Sequence, residues 1–174
     1  LYMYEGSAVI SDSSISQNIS GSGYSDTGNT TADQGYGGAG GGIYLIDGDI
    51  MLNRSTISSN RTGRGNDGGS GGAGGGLYLE TGSNQVSING STINNNRTGS
   101  GSYYSGHGGG INFRGAALDI INSTISGNAT GYGYRAGNGA GIYQQSGNLK
   151  LDSSTISFNR MGSSSYISSR DSCS

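Results

Sequence analysis

Ile43-Tyr44-Leu45 leads to Ser55-Thr56-Ile57-Ser58-Ser59-Asn60, and Ile111-Asn112-Phe113 leads in the same way to Ser123-Thr124-Ile125-Ser126-Gly127-Asn128. Five such copies run along the 174-residue chain, starting at Leu1, Ile43, Leu77, Ile111 and Ile142. The starts are 42, 34, 34 and 31 residues apart. Self-similarity at about 30–40 residues marks a solenoid, in which each repeat buries its apolar face against the next. Apart from two extra residues near Asn84, the length differences fall after the asparagine and glycine that end each copy. A constant rung with a variable loop at one corner is the expected result.

Alternation assigns the faces, because successive side chains of a strand point to opposite sides. The column Leu1, Ile43, Leu77, Ile111, Ile142 and the column Met3, Leu45, Leu79, Phe113, Gln144 are expected to point inward. Between them, Tyr2, Tyr44, Tyr78, Asn112 and Tyr143 point outward. A second strand supplies the inward columns Ala8, Ile50, Val86, Leu118, Leu149 and Ile10, Leu52, Ile88, Ile120, Leu151. A third supplies Ile15, Ile57, Ile93, Ile125 and Ile156. The fold class is all-β: a right-handed parallel β-helix of about five rungs, each of three short strands, with Gly-rich loops at one corner. Repeats 1–42, 43–76, 77–110, 111–141 and 142–174 make one segment, read as part of a longer chain or of a polymer. Asn18, Asn60, Asn96, Asn128 and Asn159 form a corner ladder, since asparagine tolerates a left-handed corner and stacked amides can bond up the column. Glycine three residues on (Gly21, Gly63, Gly99, Gly131, Gly162) is read as releasing the chain into the loop.

Composition supports a thin core. The chain has 37 glycines, no proline, 30% apolar and 11% charged residues, whereas an ordinary globular domain is nearer half apolar and a quarter charged. A solenoid needs only a narrow apolar column. The net charge of −2 makes nucleic acid and anionic membranes poor partners. No apolar run approaches the roughly 20 residues that a membrane-spanning helix requires. Cys173, the single cysteine, cannot form a bridge within the chain.

The pairing of Gly-Gly-Gly-Ile or Gly-Ala-Gly-Ile with a downstream Ile-x-x-Asn resembles the right-handed β-helix repeats of bacterial secreted and surface proteins. It is also similar to the passenger repeats of polymorphic outer-membrane autotransporters, which carry phenylalanine where this chain has Ile15, Ile57, Ile93, Ile125 and Ile156. The resemblance implies an extracellular or cell-surface protein with a structural, adhesive or passenger role.

Candidate chemistry is sparse. Asp47 and Asp49 flank Gly48 at an expected corner near Glu5 and Glu80, where turn-forming aspartate is the plain reading and Ca²⁺ binding the sharper one. His107 is expected to be an exposed loop residue. Gly63-Arg64-Gly65-Asn66-Asp67-Gly68 has half of a Ca²⁺-binding nonapeptide and is read as a flexible loop. The expectation is no catalytic residue, no metal and no cofactor. Asn-x-Ser/Thr sequons at Asn18, Asn29, Asn53, Asn60, Asn89, Asn96, Asn122 and Asn128 are possible glycosylation sites. Tyr24, Tyr36, Tyr103, Tyr104, Tyr132 and Tyr134 are candidate contact loops along one edge.

These features point to a non-enzymatic structural or adhesive module of a filament, sheath or stalk. Its partners would be copies of itself, stacked end to end, with glycans as a further class. A polysaccharide-binding or polysaccharide-degrading β-helix is the alternative. Ice binding through the Thr-Ile-Ser rows is a lesser one.

Overall fold

The computed structural model describes residues 1–24, 35–82 and 85–165; Asn29 and Cys173 lie outside them. The described residues contain strands and no helix. Rung one carries β1 (Tyr2–Ser11) and β2 (Ser14–Ser16), and rung two β3 (Ile43–Asn53) and β4 (Thr56–Ser58). Rung three is divided into β5 (Leu77–Glu80), β6 (Gln85–Asn89) and β7 (Thr92–Asn94). Rung four holds β8 (Ile111–Ile121) and β9 (Thr124–Ser126), and rung five β10 (Ile142–Asp152) and β11 (Thr155–Ser157).

All strand pairing is parallel and joins equivalent residues of adjacent rungs: Ile43 with Leu77 and then Ile111, Ile57 with Ile93 and then Ile125. The long strands form one sheet and the three-residue strands a second, in the order β11-β9-β7-β4-β2. Isolated parallel bridges link Ile19, Arg61, Arg97, Ala129 and Arg160 as a third wall. The result is a parallel β-solenoid.

Two features differ from the expected three short strands in five equivalent rungs. In four rungs the first two strands are one bent strand of 10 or 11 residues. The bend is made within the ladder, by left-handed residues such as Glu5 (φ 62°) and Asp47 (φ 50°), so pairing continues through it. Only rung three, with its two-residue insertion, breaks there. The second difference concerns length. Three turns, residues 43 to 141, have a rung on either side, so the enclosed coil is about three turns long.

The core follows that limit. Fifteen apolar side chains form the buried cluster, five from each of rungs two, three and four. They come from the alternating columns, and β3 reads buried at Ile43, Leu45, Ile50 and Leu52 with more open residues between. Each such aliphatic side chain contributes about 1.5–3 kcal/mol by leaving water. In the outer rungs Met3, Ala8, Ile10, Ile15, Ile142 and Leu149 are only partly covered. Gln144, expected to point inward, is exposed and donates to its own turn at Gly147 O, 2.7 Å.

Candidate binding face

Each rung turns two similar corners. At each, a left-handed residue precedes a small polar side chain that bonds to the next rung. At the first corner Asp12, Arg54, Gly90, Asn122 and Ser153 have φ of 46–57°. The serine that follows accepts from the serine N–H of the rung before: Ser55 N–H to Ser91 Oγ and Ser91 N–H to Ser123 Oγ are both 3.0 Å. At the second corner Gln17, Ser59, Asn95, Gly127 and Phe158 have φ of 55–64°. The left-handed residue is therefore the one before the asparagine, and the asparagine itself is free to form the ladder.

That ladder is continuous. The Asn60 backbone N–H and Nδ2 both donate to Asn96 Oδ1 at 3.0 Å, and Asn96 does the same to Asn128. The remaining Nδ2 hydrogen of Asn96 goes back to Ile57 O at 2.9 Å. Buried amides this fully paired are inexpensive to bury and costly to interrupt. The ladder also explains the glycine before each first apolar residue. A Cβ on Gly42, Gly76, Gly110 or Gly141 would stand 2.9–3.0 Å from the asparagine Nδ2 lying across it. The later glycines serve close approach as well, rather than loop release: a Cβ on Gly63, Gly99 or Gly131 would run into the carbonyl of Gly21, Gly63 or Gly99 in the neighbouring rung.

Three sequons are corrected by this arrangement. Asn60, Asn96 and Asn128 are at most 1% exposed with both amide hydrogens engaged, so a glycan does not fit the folded coil. Their Thr partners are equally structural. Thr98 Oγ1 donates to Gly106 O and accepts from Gly131 N–H, both at 2.8 Å, latching the loop to its own and the next rung. Asn18 is exposed, but its Nδ2 donates to Asn60 Oδ1 and Ser16 O. Asn53, Asn89 and Asn122 lie on the open side of the first corner.

The outer faces divide by charge. Around the first corner and the bend, arginines are matched. Arg54 makes a two-pronged bond to Asp12 at 2.6–2.7 Å, which holds that carboxyl below its ordinary value. Arg114 lies 3.3 Å from Glu80, which also accepts from Tyr78 Oη at 3.1 Å. Glu80 and Arg114 share a shallow groove of about 230 Å³ with Asp47. Asp49 accepts from Gln85 N–H at 3.0 Å. Among the described residues no group of three acidic, histidine or cysteine side chains can hold a metal ion.

The third wall is different. Its outward residues include Arg61, Arg97 and Arg160, with Ala129 between the last two. Asn and Thr are buried on either side of Arg61, of Arg97 and of Ala129, whereas Arg160 is followed by the exposed Met161. The Arg97 guanidinium lies 4.7 Å over the Tyr132 ring, and Arg135 lies 5.7 Å over Tyr104. Tyr103 packs edge-on against Tyr104 at 4.6 Å and stacks on Tyr134 at 5.5 Å. Of the six tyrosines expected on one edge, the structure brings these three into contact. Tyr132 sits beside the arginine column, while Tyr24 and Tyr36 belong to the first loop, where they are 80% and 61% exposed. The loops are tied across rungs: Gly65 N–H donates to Ser100 O and Asn66 N–H to Gly35 O, so the Gly63–Gly68 stretch is pinned rather than flexible.

His107 also departs from expectation. It is half-buried, accepts from Asn138 N–H at Nδ1 (2.8 Å) and stacks on Tyr143 at 4.6 Å. Burial holds its pKa below the ordinary value. Asn112, placed in the outward aromatic column, is only 3% exposed. Tyr2, Tyr44 and Tyr78 stack in that column at 5.3 and 5.0 Å.

Sequence reasoning missed the serine ladder and the arginine wall. The signal for the first was present, since Ser13, Ser55, Ser91, Ser123 and Ser154 hold one position in all five copies. The second was hidden because the wall was read as loop. Comparison with known proteins gives no significant match to a family model, a curated protein or a solved structure.

Proposed function

We propose that the chain is an extracellular or cell-surface structural and adhesive module, extending by stacking its outer rungs on those of another copy. Support comes from the hydrogen-bond polarity of the two ladders. Every asparagine donates toward the higher-numbered rung, so the outward face of rung one presents Asn18 Oδ1 as an acceptor. The outward face of rung five presents the Asn159 N–H and one Nδ2 hydrogen, the other being bound to Ile125 O at 3.0 Å. Apolar groups match as well: Ile15 and Ile10 at one face, Ile156 and Leu151 at the other, the last two 45% and 47% exposed. Contact between unlike faces stacked along the coil axis repeats without closing into a ring, so it builds filaments. The likeness of the repeat to surface and autotransporter passenger repeats agrees with an extracellular setting.

Electron microscopy and sedimentation over a concentration series test this reading. Filaments are expected for the native chain and not for Ile156→Lys, whose core in rungs two to four is untouched. Monodisperse native protein at high concentration would overturn it. Intact mass on the same sample reads out glycans at Asn53, Asn89 or Asn122.

A second reading has its own support. Thr56, Thr92, Thr124 and Thr155 stand in register on the short-strand sheet, beside Ser58, Asn94, Ser126 and Ser157. This regular two-column polar array is the kind of surface that orders ice, and thermal hysteresis measures it directly.

A further inference from the structure

We propose that the arginine–tyrosine wall binds an acidic polysaccharide, holding its carboxylates without cleaving the chain. The proposal rests on the adhesive reading and names its ligand class. Charge segregation is the first observation. Arg54 and Arg114 have carboxylate partners, but Arg61, Arg64, Arg97 and Arg160 have none among the described residues. A guanidinium without a carboxylate partner can act as a fork for a planar anion, Arg97 through the edge that its contact with Tyr132 leaves open.

The shape of the wall is the second. Bridged residues of adjacent rungs stand about 4.8 Å apart, so Arg97 and Arg160 are separated by about 10 Å with the small Ala129 between them. That gap is the floor of a cleft of about 540 Å³, whose walls include Tyr132 and Met161. A neighbouring depression of about 360 Å³ shares Tyr132 and adds Arg64, Tyr134 and the hydroxyl-bearing Ser100 and Ser102. Together they form a track with cations spaced along it, a tyrosine face between them and serines at the side.

Each part matches one part of a uronic acid polymer. The guanidinium forks receive carboxylates, the ring faces of Tyr132 and Tyr134 turned away from Arg97 and Tyr103 cover the apolar face of a sugar ring, and the serines reach its hydroxyls. Arg97 adds a third observation. Its Nε is shielded from water with no acceptor in reach, and a buried donor without a partner is the exception that calls for an explanation. A carboxylate at the outer edge of this guanidinium would be held by its terminal Nη groups, beside the unpaired Nε. Nucleic acid fits less well. A nucleic acid strand brings phosphates rather than planar carboxylates, and the molecule as a whole carries −2, which opposes long-range attraction of a polyanion of that kind.

Calorimetric titration of the full chain with oligogalacturonate tests the proposal, with its fully methyl-esterified form and single-stranded DNA as comparisons. Expected is binding of the acid form that weakens with salt, falls at least tenfold in Arg97→Ala and in Arg160→Ala, whose side chain is exposed, and is unchanged in Arg54→Ala. Arg97→Lys, which keeps the charge and loses the fork, should fall nearly as far. Circular dichroism on each variant separates lost binding from lost folding, and Arg160→Ala carries the test if Arg97→Ala unfolds. No binding of the acid form, equal binding of the ester, or tighter binding of DNA would each overturn the proposal. The two readings fail separately: filaments without oligogalacturonate binding remove the ligand class alone, and binding of the ester at the same wall leaves adhesion standing without the acid requirement.

Discussion

Ile93 and Ile156 occupy the same column, in the same three-residue strand, with threonine before and a polar residue after. Ile93 is 1% exposed and Ile156 45%. The two differ only in having a rung on both sides or on one. Asn96 and Asn18 make the same contrast in the corner ladder: Asn96 accepts from one rung and donates to the next, while Asn18 only donates. In a solenoid a residue's contribution is set by its neighbours above and below, and identical sequence does not carry identical energy.

The sharpest way to break this contrast is through the ladder. Asn96→Ala would strand Asn60 Nδ2, Asn60 N–H and Ile57 O inside the coil. At about 1–3 kcal/mol for each unsatisfied buried group, urea unfolding should show a loss of about 4 kcal/mol or more. Asn18→Ala keeps the backbone donor to Asn60 Oδ1 and should lose about 1 kcal/mol or less. Equal losses would remove the distinction between inner and outer rungs.

Next comes the apolar column. Ile93→Ala is expected to destabilise by about 2–5 kcal/mol, as full-burial truncations do. Ile156→Ala should cost under about 1 kcal/mol in the unassembled chain, since a side chain left half in water has little transfer energy to lose.

Titration gives smaller effects. Burial, with help from Glu80, raises the Tyr78 phenol to about 12. Its preference for the neutral form is fully expressed below the unfolded value and is lost as pH rises through about 12. The latest component of the ultraviolet phenolate transition should disappear in Tyr78→Phe, leaving the smaller upward shift of Tyr44. For His107 the sign is reversed. With its folded value depressed, its contribution is present above the unfolded value and lost as pH falls through the folded one. His107→Gln should flatten a small acid-side decline in melting temperature.

Much of the coil was readable from the repeat. Period-two alternation identified the inward columns, because one face of every strand must leave water. The recurring asparagine pointed to a ladder. What was not readable depends on backbone conformation and on neighbours. The left-handed residue is any of Gln17, Ser59, Asn95, Gly127 or Phe158, five different side chains that no propensity unites. The merging of two strands into one depends on whether pairing survives the bend at Asp47. The arginine wall became visible only when Arg61, Arg97 and Arg160, far apart in sequence, were brought onto one column.

Amide hydrogen exchange on dilute, unassembled protein tests the central claim most directly. Inner and outer rungs should open with different free energies although their sequences match. The account predicts greatest protection at Ser91 and Asn96 of rung three, whose N–H groups are buried against Ser123 Oγ and Asn128 Oδ1, falling through rungs two and four to low values at Ser13 and Asn18, which still donate into rung two, and least at Ser154 and Asn159, whose N–H groups face outward from rung five. Equal protection along the coil, or a maximum in an outer rung, would contradict it.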